Sequence, residues 1–276
     1  MTAVAASAPR ISAAPLPIMR RALFDGWRGL VGWIIGIAAV VSVYVPLFPT
    51  MASPELAGML DSLPPELVNT LNYGDITSGA GYVQATFFGL TGFALLSIAC
   101  IGWGSSLTGG AEESGRLELT LGHGVGRVQY ALETAGVLLV RVIVIGAVGY
   151  GMVWLYDAPA ELELDAGNLL AATVAWMGLG MLTAAASFVV GTSTGRRAWA
   201  VGAGSGLAIV GFVMQAVANN SEDLDWLHRF SPFDWAYYQD PLVDGWDWGG
   251  LGLLWGGSAL LIAIGTFALS RRDILG

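Results

Sequence analysis

The chain has no lysine: all twelve of its basic residues are arginines. A phosphate loop of the GxxxxGK[ST] kind needs lysine to reach the terminal phosphates of a nucleotide, so this polypeptide cannot build one. Cysteine is almost as scarce. Cys100 stands alone inside an apolar run, which excludes an intramolecular disulfide and a cysteine metal cluster. The two histidines, His123 and His228, fall in polar stretches between apolar runs, and no histidine lies within a run to ligate a haem or metal electron carrier. Charge is sparse too: 12% of residues are charged, against about 25% in a soluble domain.

What the chain does have is apolar surface. Of its 276 residues, 55% are hydrophobic, and the mean hydropathy is +0.64. A membrane segment takes about 20 apolar residues, and six runs are long enough, near 29–48, 82–107, 131–156, 167–192, 198–218 and 249–269. The fourth and fifth are separated only by STGRR, where Arg196 and Arg197 interrupt the hydropathy. The expected fold is therefore an all-α membrane protein with six transmembrane helices in one domain over 29–270.

Arginine sets the orientation. Arg10, Arg20, Arg21 and Arg28 precede the first span, Arg116 and Arg127 lie between the second and third, Arg196 and Arg197 between the fourth and fifth, and Arg271 and Arg272 follow the sixth. All fall on one side, which the positive-inside rule makes cytoplasmic together with both termini. Acidic residues divide the other way: segments 49–81, 157–166 and 219–248 hold 15 of the 21. The net charge of −9 thus describes an acidic external face.

Residues 1–17 read as a disordered tail without the charged-then-apolar order of a cleavable signal. Over 18–28 (IMRRALFDGWR), Arg20, Arg21, Trp27 and Arg28 alternate with apolar residues, as in a short helix lying on the cytoplasmic interface or in an anchor flanking the first span. Small-xxx-small pairs recur at Gly32/Gly36, Gly202/Gly206 and Gly252/Gly256, a pattern that lets helices approach closely. Segment 49–81 carries apolar spacing for two short amphipathic helices broken at Pro64–Pro65.

The most informative polar stretch is 108–129, TGGAEESGRLELTLGHGVGRVQ. A helix through 112–121 would put Leu117 and Leu121 on one face with Glu113 nearby, and Gly122, Gly124 and Gly126 would end it. An exposed leucine cluster among acids, tethered by two membrane helices, suits docking in a groove on another protein; a solvated loop is the plainer alternative. Arg141 lies well inside the third span and should face the bundle interior or reach back to the cytoplasmic side, with Glu133 as a water-mediated partner. Before the last span, Phe233, Trp235, Tyr237, Tyr238, Trp246 and Trp248 crowd a long external segment suited to the water–lipid boundary.

The order of these pieces resembles the permease subunit of type-2 ATP-binding-cassette transporters, especially bacterial antibiotic and drug exporters. EESGRLELTLGHGVGR, 112–127, looks like that family's pattern of two acids, a glycine, Leu-Glu-Leu, a break and an arginine. Proline is usual in the break where this chain has Gly124. GWRGLVGWIIG at 26–36 and SPFDWAYYQDPLVDGWDWGGL at 231–251 support the likeness. It implies a cytoplasmic coupling helix carrying Glu112, Glu113, Gly115, Leu117, Glu118, Leu119 and Arg127, with Leu121 on the same helix by its spacing. A re-entrant segment before the last span and a short cytoplasmic tail at 271–276 follow.

The partners implied are an ATP-binding-cassette ATPase subunit and a second permease subunit, identical or homologous, in a bacterial plasma membrane. ATP and Mg²⁺ would sit on the ATPase, with no cofactor, metal or catalytic residue on this chain. Membrane lipid is the other expected partner, and nucleic acid is not. The implied cargo is a hydrophobic or amphiphilic molecule. A rhomboid-type serine protease fits poorly, since GAGSG at 202–206 has Ala203 where GxSG needs glycine, and the last span has no histidine base. An ion-gradient-driven transporter remains the alternative, although it would want acids within spans and only Glu133 comes close.

Overall fold

The computed structural model describes residues 16–51, 64, 67–68 and 75–273. Most of the disordered tail expected over 1–17 and most of the two short helices expected in 49–81 lie outside them, while Pro17 of that tail is the first residue of a helix. The described residues are all helical where they are regular. Helix α1 (Pro17–Asp25) leads through Gly26 into α2 (Trp27–Tyr44), whose span continues as a tighter turn to Thr50. The second span, α3, is Gly79–Leu107. The polar insert forms α4 (Gly109–Glu113) and α5 (Arg116–Gly122). Spans α6 (Arg127–Asp157), α7 (Ala166–Thr194) and α8 (Arg197–Ala218) follow. A 3₁₀ stretch (Glu222–Phe230) and a short α9 (Pro232–Tyr237) precede the last span, α10 (Trp248–Arg271).

Among the described residues six helices are thus long and apolar enough to cross a membrane: a multi-pass bundle embedded in the bilayer. Their order is set by how far each is buried. The most apolar window of α7 is 83% buried, against 17% for α2 and 22% for α8. Helix α7 is therefore the hub, with α3, α6, α8 and α10 packed around it, while α2 packs mainly on α6. Its small residues make this geometry attainable, because Gly178, Gly180 and Gly191 admit Trp255, Leu96 and Thr108 at distances no side chain would tolerate. Near the acidic end Trp176 is fully buried against Phe87 and Phe88, with ring centroids 5.2 and 5.9 Å away.

Phe87 and Phe88 point inward together because residues Gln84–Thr91 of α3 are π-helical. The wider turn changes the facing of consecutive side chains, and Thr91 Oγ1 donates to Thr86 O, five residues back, at 2.6 Å.

Helix starts differ between the two ends. The three spans that begin at the acidic end carry their own caps. Ser78 Oγ accepts from Gly81 N, Asp165 Oδ1 from Asn168 N and Asp247 Oδ1 from Gly249 N, at 3.0, 2.9 and 2.9 Å. Helices α1, α2, α6 and α8 start at the arginine-rich end and show no side-chain cap of their own. Two of them, α1 and α8, borrow a carboxylate from elsewhere in the chain, and those carboxylates organise the site below.

The paired glycines differ from those that line the hub. A Cβ placed on Gly32, Gly36, Gly202, Gly206, Gly252 or Gly256 would meet nothing within 4 Å. These faces have no role in packing this chain. Leucine at both Gly32 and Gly36 should therefore leave the unfolding midpoint of the solubilised monomer within about 0.5 kcal/mol of the original, as surface changes do. If those positions pack a second copy, the same double variant shifts the sedimenting species from dimer to monomer.

Candidate functional site: the arginine-rich end of the bundle

The insert is not one helix over 112–121. Gly115 adopts the left-handed conformation (φ 69°) and splits it into α4 and α5. Residues other than glycine pay a steric cost there, so the break is placed by sequence chemistry.

Helix α4 is clamped to the fourth–fifth span connection. Gly109 lies so close to the backbone of Arg196 and Arg197 that a Cβ would stand 2.5 Å from Arg196 C. Glu113 Oε1 accepts from Arg197 N at 2.9 Å, capping α8 at its positive dipole end. The Glu112 carboxylate pairs with the Arg272 guanidinium beyond the last span, and both are largely shielded, with side chains 12% and 24% exposed. Arg127, the first residue of α6, donates from Nη1 to Arg272 O at 2.8 Å. Tyr130, one turn on, donates from its hydroxyl to Leu107 O at 2.8 Å. The insert is thereby tied to the start of α8 and to the tail after α10, while α6 is tied to the same tail and to the end of α3.

These contacts correct the expected leucine cluster. Leu117 is buried and Leu121 is half-buried against the core, because both lie on the face of α5 turned toward the bundle. Of the residues expected to couple on α5, Glu118 and Leu119 are the exposed ones, with Leu119 67% exposed. Glu112, Glu113 and Arg127 act inside the chain as braces. Gly115 supplies the bend that separates the braced from the projecting half.

Helix α1 is held by α6. Its first N–H groups, those of Ile18 and Met19, both donate to Glu133 Oε2, at 2.8 and 2.9 Å, and Gln129 Nε2 donates to Oε1 at 2.8 Å. At the other end of α1, Arg141 Nη2 donates to Ala22 O at 3.0 Å. An anion at the helix N-terminus and a cation at its C-terminal carbonyls both complement the dipole. Glu133 and Arg141 are 4% and 5% exposed. The expected water-mediated partnership between them gives way to separate contacts at the two ends of α1. Arg141 also stacks over Trp103, 5.3 Å from the ring centroid.

Of the interfacial set, Arg20 and Arg21 are exposed on α1, where Arg21 Nε approaches Asp25 Oδ2 at 3.4 Å. Trp27 and Arg28 belong to the start of α2, past the bend at Gly26, with the Arg28 guanidinium over the Trp27 ring.

The aromatic segment at the acidic end divides into two groups. Phe233 and Tyr237 of α9 are buried; Phe233 packs on Phe93 and Phe212, and the Tyr237 hydroxyl donates to Phe88 O at 3.2 Å. Trp235 is half-buried, and its indole N–H donates to Arg229 O at 2.8 Å. Helix α9 therefore tucks back against α7, α8 and α10. Tyr238, Trp246 and Trp248 stay exposed, and the two indoles stack at 5.3 Å. Burial pushes the Asp234 carboxyl above its usual range, opposed by His228, whose Nδ1 lies 3.1 Å from Oδ2.

The sequence pointed to Arg141 and the insert but missed Trp103, Arg272 and the capping role of Glu133. Arg272 reads as an ordinary flanking cation, and nothing local marks the residues that pair across more than 100 positions. Among the described residues no group of His, Cys, Asp or Glu is placed to hold a metal ion. In comparisons with known proteins, no family model and no curated protein matches the chain. The structure itself shows a multi-pass helical bundle consistent with a membrane transport protein.

Proposed function

We propose that this chain is the membrane-spanning subunit of an ATP-driven exporter, powered by a separate ATPase that docks on α5. The observation that carries the reading is mechanical. The outward residues Glu118 and Leu119 sit on a short helix with four ties to the bundle: Leu117 and Leu121 pack against its core, and in the adjoining α4 Glu112 pairs with Arg272 and Glu113 caps α8. A push on α5 is therefore delivered to the bundle rather than absorbed by a loose loop. ATP must be hydrolysed elsewhere, because a chain without lysine has no phosphate loop.

A second permease subunit would cover the open glycine faces of α2 and α8, the two spans most exposed in the isolated chain. Cargo, hydrophobic or amphiphilic, would leave toward the acidic end.

The test uses residues that make no contact needed for folding. Leu119→Arg places a charge on an exposed helix face and should leave thermal stability unchanged. It should lower cargo-stimulated ATP hydrolysis of the assembled transporter about tenfold or more, the loss expected when an interface anchor is reversed in character. Unchanged hydrolysis in Leu119→Arg and in Glu118→Arg would remove α5 as the docking element.

An ion-gradient-driven transporter is the second reading. It is favoured by one observation, a guanidinium buried within a span at Arg141.

A further inference from the structure

Between α1 and the insert runs an open groove of about 780 Å³, whose polar lining includes Arg21, Arg116, Arg141 and Asp25. Three guanidinium groups face one carboxylate, and that carboxylate is already engaged by Arg21. Arg116 makes contacts only with neutral oxygens, from Nε to Ser114 Oγ at 2.9 Å and from Nη2 to Ser106 O at 3.4 Å. Arg141 is the unusual member. It is 95% buried, it lies fourteen residues into α6, and no carboxylate stands within ion-pair distance of it among the described residues. The nearest acid along its own helix, Glu133, is committed to the first turn of α1.

An unpaired buried cation is costly and is usually neutralised by a partner. Here one of the five guanidinium donors goes to Ala22 O, while the one carboxylate lining the groove, Asp25, is paired with Arg21 instead. Ser106, Thr120, His123 and Thr134 add neutral polar groups, and apolar surface comes from Ile18, Leu107 and Leu119 on the walls and from Trp103 beneath the guanidinium. Cationic depth with apolar walls at the boundary between water and membrane matches an amphiphile with an anionic head.

We propose that this groove binds the phosphate head of an amphiphile, with Arg141 and Arg116 as its charge partners and the apolar walls against the first part of the chain. A guanidinium offers a planar pair of donors suited to phosphate oxygens. If the transport reading is accepted as well, this is where cargo is received from the inner leaflet, and the cargo class becomes phosphorylated or similarly anionic amphiphiles. The binding itself does not depend on that reading.

The experiment measures binding to the purified full-length chain in a neutral maltoside detergent, without ATP or partner, so its failure is distinct from failure of the exporter assignment. The probes are dioctanoyl phosphatidate, dioctanoyl phosphatidylcholine and inorganic phosphate. The expected result is saturable binding of the phosphatidate, with the other two at least about tenfold weaker.

Arg141→Met and Arg116→Gln should each weaken phosphatidate binding about tenfold, as loss of a charge-assisted hydrogen bond does. Arg116 is exposed, so its variant keeps the test valid if Arg141→Met unfolds. Equal binding of phosphatidylcholine would mean ordinary apolar association and overturn the proposal. Equal binding of inorganic phosphate would show a free-anion site and overturn the amphiphile assignment. Full affinity in Arg116→Gln, or in a folded Arg141→Met, would overturn the residue assignment and the proposal with it.

Discussion

Glu133→Ala releases α1, and trypsin then cleaves the solubilised chain after Arg20 and Arg21 roughly thirtyfold faster than it cleaves the original. The Glu133 carboxylate receives three hydrogen bonds, from Ile18 N, Met19 N and Gln129 Nε2, in a site almost closed to water. Helix α1 has no other N-terminal cap; Leu16, at its cap position, is left-handed (φ 54°) and contributes no side-chain hydrogen bond. A nine-residue helix is too short to persist alone in water.

Hydrogen bonds to a charged acceptor contribute about 1.5–3 kcal/mol. A loss of about 2 kcal/mol corresponds to roughly a thirtyfold rise in the released population. Cleavage at an exposed arginine still requires local unfolding of the backbone around it, so the rate follows that population. Glu133→Gln keeps an acceptor but loses the charge and should fall between the two. Equal rates in all three chains would mean that α1 is held by its apolar contacts alone. Cleavage after Arg196 and Arg197, on the other connection, provides the internal control.

The second large effect is expected at the Glu112–Arg272 pair. Removing one partner of a buried pair costs about 3–5 kcal/mol. The partial exposure of both side chains reduces this to about 2 kcal/mol for Glu112→Ala. Arg272→Ala should cost a similar amount, since the Arg127 contact is to the backbone oxygen and survives. The double variant should then be no worse than either single one by more than about 1 kcal/mol, giving a coupling energy of about 1–3 kcal/mol. Unfolding midpoints of the four chains in detergent supply the cycle. Strict additivity would show that the last span's tail and the insert are not energetically linked, and the transmission argument for α5 would lose one of its four ties.

Hydropathy and arginine placement were enough to read six spans, their order and the end of the bundle at which the insert lies. Both depend on the bilayer, which penalises unpaired backbone and charge strongly enough to mark the sequence. The start of the third span was less legible. Helix α6 begins at Arg127, four residues before its apolar run, because Arg127 and Gln129 find partners inside the protein and a hydropathy window scores them as loop.

The insert misled for a related reason. Its glycines at 122, 124 and 126 suggested where a single helix would stop, but the turn that matters is at Gly115, between residues whose spacing alone allows a continuous helix. Leu117 and Leu121 share a face, as the spacing requires, and that face meets the bundle rather than water. Binary pattern gives a helix its apolar side without saying what covers it. The trans caps from Glu113 to α8 and Glu133 to α1, and the π-helical turn in α3, have no local signature. They appear only once the spans are placed side by side.

The most direct test of the account is affinity purification of the tagged chain from its own membranes in mild detergent, beside the Glu118→Arg, Leu119→Arg double variant, with mass spectrometry of what co-purifies. The account expects a soluble protein bearing a phosphate loop, in near-stoichiometric amount with the original chain and absent from the equally well folded variant. Absence of such a protein from both samples, together with solute movement by the purified chain alone under an ion gradient, would contradict the account and establish the ion-driven transporter in its place.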